Sequence, residues 1–235
     1  MVRIRTQMQE CLSTNIDYPV TLRLAGQLVV IVGAGRVGSR KLNGLSGTGA
    51  RIKVIDPSVP TTPHIAEVEH LQRPYQPGDL AGADLVFICT DSPTINQSVA
   101  DEAKRLSIWS CRSDLPRHSE FSVPAVLRRG ELTIAVSTGG RSPALAALMR
   151  DHIAEQVPDS WGKAVEIIAA IRRKWLTEQT EVQYNQEVLR NLIDRELIHL
   201  IAGNKLNKID QLLLAQFGPG FSLAELQVQI SKEAL

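Results

Sequence analysis

Cysteine is scarce in this chain: its three residues, Cys11, Cys89 and Cys111, are odd in number and show no CxxC spacing. That count excludes a disulfide framework and gives a zinc site nothing to build on. The three read as reduced thiols, with Cys89 and Cys111 buried at strand ends, and no metal ligands are expected. Net charge is almost absent, at +1, which argues neither for nor against nucleic acid. No continuous apolar run approaches the length needed to cross a bilayer. The first twenty residues, MVRIRTQMQECLSTNIDYPV, carry basic residues but no apolar core, so a secretory leader is not expected. A cytoplasmic protein that meets neither membrane nor nucleic acid fits these absences. Internal repeats and low-complexity stretches are missing as well.

What is present begins with VVIVGAGRVGSRKL at 29–42, followed by RIKVID at 51–56. An apolar β-branched run ends in Gly33-x-Gly35-x-x-Gly38 and passes into a helix-compatible segment. Gly33 permits a tight turn, Gly35 lets backbone N–H groups approach a pyrophosphate, and Gly38 allows helix to pack on strand. The helix start favours the anion. Asp56 lies 18 residues past Gly38, where its carboxylate accepts from ribose hydroxyls and repels a 2′-phosphate. No arginine follows it directly, so NAD is expected over NADP. The same glycines also suit a plain turn in a doubly wound fold without a nucleotide.

The chain of 235 residues has room for one full domain and a smaller one. Strand-like runs at 28–32, 51–56, 71–75, 83–90 and 107–111 alternate with helix-like runs at 36–47 and 93–106, which predicts a parallel sheet with crossover helices. Gly49 is placed to stop the first helix, and Asp91-Ser92-Pro93 to start the second. The loop from Thr90 lies at the carboxyl end of a strand, where open α/β sheets bind ligands. From about residue 114 the pattern changes. EFSVPAVL (120–127) and ELTIAVST (131–138) read as strands with Arg128-Arg129-Gly130 as their turn, and beyond Ser142-Pro143 the periodicity is helical at 144–157, 161–176, 181–202 and 207–217. The expected fold is therefore α/β. A Rossmann-like parallel sheet domain (1–114) precedes a small β-rich dimerisation and substrate-cleft segment (115–150) and a helical C-terminal domain (151–235). Strands too few to make a sheet alone predict pairing with a second copy, hence a homodimer.

Between 111 and 150 stand six arginines (112, 117, 128, 129, 141, 150) and three acids, with no lysine. This reads either as a solvated face or as a cleft for a polycarboxylate, since guanidinium groups fork onto carboxylates. Nucleic acid suits it poorly, because no aromatics are interleaved. Asp114, just past a strand, serves either as a turn residue before Leu-Pro or as a proton acceptor beside the nicotinamide. His118 lies in the same polar loop. Ser137–Pro143 sets hydroxyls and N–H groups at a helix start, with Ser142 as its cap.

Four stretches carry a resemblance: YPVTLRLAGQLVVIVGAGRVGSRKLNGL, ICTDSPTINQSVADEAK, SDLPRHSEFSVPAVLRRGELTIAVST and GGRSPALAALMRDHI. Over roughly 18–160 the chain resembles the precorrin-2 dehydrogenase/sirohydrochlorin ferrochelatase family, the N-terminal module of siroheme synthases. The resemblance implies NAD-dependent oxidation of precorrin-2 to sirohydrochlorin, with ferrous iron insertion in some members. It implies that Arg36 and Val37 join Gly33, Gly35 and Gly38 in holding NAD, with Asp56, Pro57 and Ser58 on the adenosine side and Thr90 completing the cofactor site. It implies that Asp114 is the essential aspartate, and that the tetrapyrrole meets Arg117, His118, Thr138, Gly139, Gly140, Arg141 and Ser142. Thr138 stands where some siroheme synthases have a phosphorylatable serine. The alternative is a non-enzymatic NAD-sensing domain of the potassium-transport type, which shares GAGRVG and an acid after the second strand. It would supply neither the β-rich connector nor the GGRSP turn.

Overall fold

In the computed structural model, residues 16–58, 68–178, 186–194 and 196–230 are described; Cys11 and the predicted helical run at 181–185 lie outside them. Five parallel strands form one sheet: β1 (Leu28–Val32), β2 (Arg51–Ile55), β3 (Val68–Leu71), β4 (Leu85–Ile88) and β5 (Trp109–Arg112), in the order β3-β2-β1-β4-β5. The order reverses between β1 and β4, the switch point at which doubly wound sheets receive ligands. Strands β1 and β4 are nearly continuous apolar runs because both faces of a parallel sheet are covered. Val29, Ile31, Val54, Leu85 and Phe87 face one core with Leu42 and Leu45. Val30, Val32, Ile55, Val86 and Ile88 face the other with Leu80, Val99 and Ala103.

Helix α1 (Arg36–Gly44) buries Gly38 and Leu42, one turn apart on the face against the sheet. A Cβ on Gly38 would lie 1.8 Å from the Gly33 carbonyl oxygen, so this crossing requires glycine. Helix α2 (Pro93–Arg105) starts as expected, with Ser92 accepting the Ile95 N–H and Pro93 in the first turn. Its last turn carries Lys104 and Arg105, which suit the negative end of the helix dipole.

The chain divides into two compact units, one running to Val123 with Gly139–Arg141, the other comprising Pro124–Thr138 and the chain from Ser142 onward. The second unit opens with an antiparallel hairpin of β6 (Ala125–Arg129) and β7 (Leu132–Val136). It continues through α3 (Pro143–Gln156), α4 (Ser160–Glu178), α5 (Gln186–Asp194), α6 (Leu197–Ala202) and α7 (Leu206–Phe217). Both α3 and α4 pack on the hairpin. A Cβ on Gly162 would lie 2.5 Å from the Arg129 carbonyl oxygen, so α4 seats its backbone directly on the hairpin turn. The helical core is built from Ile167, Ile171, Leu192, Leu197, Ile209 and Leu213, each fully buried.

Several boundaries differ from the sequence expectation. The third strand is Val68–Leu71, not 71–75, because Ile52↔Val68 through Ile55↔Leu71 set its register and Pro74 has no N–H for a ladder. The first helix stops at Gly44, and the chain turns through Gly47 (φ +73°) and Gly49 (φ +72°) well beyond it. Arg128 and Arg129 belong to β6 rather than the turn, which is Gly130-Glu131. The run expected as one helix over 181–202 is broken at Glu196, whose φ of +68° separates α5 from α6.

Candidate functional site

Backbone hydrogen bonds continue the ladder past the strand ends and level the loops along the carboxyl edge of the sheet. The N–H of Gly33 donates to Ile55 at 2.9 Å, that of Cys89 to Val32 at 2.8 Å, and that of Ser113 to Ile88 at 3.0 Å. The glycine loop, the Thr90 loop and the loop bearing Asp114 therefore leave the sheet side by side.

At the first loop, Gly33 turns with φ +98°, and a Cβ there would press within 2.7 Å of the Cys89 backbone. Gly35 precedes α1 with open space where a Cβ would stand, and no side chain caps the helix start. Asp56 closes the loop from the next strand. Its Oδ2 accepts the Ala34 N–H at 2.6 Å, and its Oδ1 accepts the Ser58 N–H at 2.7 Å and the Ser58 hydroxyl at 2.6 Å. Burial alone would raise the Asp56 carboxyl, but the Ala34 and Ser58 donors outweigh it and hold the group below the usual carboxylate range. A carboxylate offers about four lone-pair positions, so three donors leave room for a ribose hydroxyl. Uncapped N–H groups, the open face at Gly35 and a braced anion together fit a dinucleotide. Arg36, Pro57 and Ser58 are exposed around this cradle, and Val37 packs its side chain toward the α1-side core.

Thr90 turns inward. Its hydroxyl donates to Asn96 Oδ1 at 2.6 Å and accepts the Ser92 N–H at 3.2 Å, while Asn96 Nδ2 donates to its carbonyl at 3.0 Å. Asn96 is 1% exposed, and its amide also favours the charge of Asp114, so it couples the Thr90 loop to that carboxylate. Asp114 is in turn gripped by Arg112, Nε to Oδ1 at 3.2 Å and Nη2 to Oδ2 at 2.9 Å. The Arg112 fork holds the Asp114 carboxyl below its ordinary range, against partial burial, with the Asn96 amide acting in the same direction. Beneath this edge Cys89 Sγ lies 3.3 Å from Ser113 Oγ, and burial pushes the thiols of Cys89 and Cys111 up.

Sequence reasoning missed Asn96 and the bond between Arg112 and Asp114. It counted Arg112 toward a cleft for an anionic ligand, yet that side chain is 4% exposed and spent on Asp114. Arg129 is likewise engaged: it donates to the Val157 and Ala154 carbonyls at the end of α3 and pairs with Asp159. Arg150 pairs with its neighbour Asp151. Arg128 and Arg141 are exposed. Arg117 and His118 lie exposed in a short 3₁₀ turn, Pro116–His118, after Asp114. Gly139 (φ +59°) and Gly140 (φ +71°) make a left-handed turn. Thr138 Oγ1 accepts the Ser142 N–H at 3.1 Å, and Ser142 caps α3 by accepting the Leu145 N–H at 3.3 Å. Among the described residues no group of three His, Cys, Asp or Glu could hold a metal ion. Among them, too, no helix is long and apolar enough to cross a membrane.

Comparison with known proteins adds to this geometry. Residues 20–125 match a family model described as putative NAD(P)-binding, and residues 129–156 match one described as the central part of a sirohaem biosynthesis protein. Siroheme synthase of Methylobacillus flagellatus is 30% identical over 188 residues, 77% of this chain and 40% of the relative. Siroheme synthase 2 of Aeromonas salmonicida is 34% identical over 164 residues, 68% of this chain and 34% of the relative. The chain thus spans less than half the length of these curated relatives. A solved structure titled SirC, precorrin-2 dehydrogenase, shares the fold, with a TM-score of 0.63 at 22% identity over 83% of this chain and all of that one.

Proposed function

This chain belongs to the precorrin-2 dehydrogenase/sirohydrochlorin ferrochelatase family, the N-terminal module of siroheme synthases, and on that premise we propose that it oxidises precorrin-2 to sirohydrochlorin with NAD⁺. One observation carries the assignment to chemistry. An ionised carboxylate, Asp114, stands on the carboxyl edge of the sheet, forked by Arg112, with buried Asn96, bonded to the loop that follows β4, favouring its charge.

NAD, when bound, supplies the hydride acceptor. The first turn of α1 and the open face at Gly35 receive the pyrophosphate, and Asp56 receives the adenosine ribose. Oxidation removes a hydride and one proton from the macrocycle. Asp114 faces the positive charge that develops there and accepts the proton at a carboxylate oxygen. Its lowered pKa keeps it anionic at neutral pH, the state both roles require. Arg117, His118 and Arg141 receive carboxylates of the tetrapyrrole.

We further assign the active form to a homodimer in the cytoplasm. Leu145, Leu148 and Met149 form an exposed apolar stripe on α3, at the i, i+3, i+4 spacing of a partner-facing helix. The hairpin and helical unit are features that a nucleotide-sensing domain would not supply. Incubation with precorrin-2 and NAD⁺ should give the sirohydrochlorin spectrum with matching NADH. No spectral change with folded, NAD-binding protein would overturn the assignment.

A further inference from the structure

Arg112 is the last residue of β5, and its side chain turns back along the edge of the sheet instead of outward to solvent. Each of its three guanidinium nitrogens makes a hydrogen bond. Nε and Nη2 fork onto Asp114, and Nη1 donates to Gln97 Oε1 at 3.0 Å, while Gln97 Nε2 donates to Asp101 at 2.8 Å. The Arg112 backbone is fixed as well, its N–H donating to Ser119 Oγ at 2.8 Å. Asp114 keeps 26% of its side chain exposed, so one face of the carboxylate is held by the protein and another remains open. A buried guanidinium costs several kcal/mol to desolvate and repays it only through hydrogen bonds of good geometry. Such a group at a ligand-facing edge sets the charge and aim of whatever it holds.

Resting on the reading of Asp114 given above, we propose that Arg112 is a positioning residue for the dehydrogenation. It fixes the plane of the Asp114 carboxylate and keeps it ionised when the macrocycle binds, while Gln97 on α2 holds the far side of the guanidinium. Asp101 on α2 acts on the Arg112 guanidinium, and Arg117 and His118 follow Asp114 in the next turn of the chain. Without Arg112 only the Asn96 amide and the backbone N–H of Asp114 itself favour the charge of the carboxylate once the macrocycle covers it. Its pKa then rises, and the acid limb of the pH profile moves up with it. This differs from a purely structural role, which would lower the rate equally at every pH.

The test compares kcat against pH for the full chain, with precorrin-2 and NAD⁺, in wild type, Arg112→Met, Arg112→Lys, Gln97→Ala and Asp114→Asn. In Arg112→Met the acid limb should move up by about one pH unit or more, the lower end of what an adjacent guanidinium does to an aspartate. Arg112→Lys should restore part of that shift, because an ammonium supplies charge without the fork. Gln97→Ala should lower kcat by about two- to fivefold with KM unchanged, the effect of one lost net hydrogen bond. NAD⁺ affinity should hold within about twofold throughout. If Arg112→Met does not fold, the Asp114 carboxyl titration followed by ¹³C NMR in wild type and Arg112→Lys decides the matter, with an upward shift expected. An unmoved acid limb or titration, with Asp114→Asn inactive, overturns the role of Arg112 alone. Asp114→Asn at the wild-type rate overturns the reading of Asp114 on which it rests.

Discussion

The N–H of Ala34, in the middle of the glycine loop, donates to the carboxylate of Asp56 at 2.6 Å. The loop and the acid are therefore one braced unit: the group that meets the ribose also fixes the turn that meets the pyrophosphate. Asp56→Asn should weaken both. NAD⁺ should keep a higher kcat/KM than NADP⁺ in the wild type, and the substitution should cut the NAD⁺ value by about tenfold or more, as for a lost charged hydrogen bond. NADP⁺ should lose less, because the repulsion toward its 2′-phosphate disappears. Kinetics with both cofactors check this, and equal use of NADP⁺ by the wild type would contradict it.

Two glycines three residues apart, one before α1 and one in its first turn, have opposite tolerances. Gly35 opens to empty space at an ordinary φ of −61°, whereas any Cβ on Gly38 collides with the Gly33 carbonyl. Gly35→Asp should fold with a near-normal Tm and fail to bind NAD⁺, because bulk and charge stand where the pyrophosphate belongs. Gly38→Ala should lose about 1–3 kcal/mol of stability from overpacking. Thermal melts paired with NAD⁺ titration separate the two.

Asp114→Asn preserves size and most hydrogen bonding but removes charge and basicity. Turnover should fall by about 10²-fold or more, the range for a positioned acid–base group, with little change in NAD⁺ affinity. Steady-state oxidation of precorrin-2 checks the first and fluorescence titration the second.

Acid should destabilise the first unit in a defined direction. Asp56, Asp79, Asp114 and Glu120 are all held below their ordinary pKa values in the fold. Asp79 and Asp114 are held there first by arginine partners; in Asp56 and Glu120 hydrogen bonds to Ser58, Ala34 and Ser110 outweigh burial. A carboxyl whose folded pKa is depressed contributes stability above its unfolded value, near 4, and loses it as pH falls through the folded value. Urea midpoints should therefore be level near neutrality and drop below about pH 4. Replacing Asp79 with Asn should lower the neutral plateau and shrink the acid drop.

The glycine loop and Asp56 were legible because their signal is local: a strand, three glycines at fixed spacing and an acid at the next strand end. The helix starts at Ser92 and Ser142 were legible for the same reason. Asn96 was not, since an asparagine one turn into a helix is ordinary until docking of α2 buries it beside Thr90. Arg112 misled for a related reason. In sequence it is one arginine among six, and only the pleat of β5 turns it back onto Asp114 rather than out to a ligand. Strand β3 was displaced by a few residues because the proline-bearing run after it is as apolar as the strand itself, so pairing with β2 decides the boundary.

The contact between Gly162 and the turn of β6–β7 bears on how this chain can be engineered. A two-residue hairpin turn is ordinarily a welcoming place for an epitope tag, a linker or a new pair of termini. Here the backbone of α4 rests on that turn with no side chain between them. Extra residues at 130–131 would have to lift a helix that carries Ile167 and Ile171, both fully buried. Inserted sequence belongs elsewhere: the tip of this hairpin is exposed on one side and seats a helix on the other.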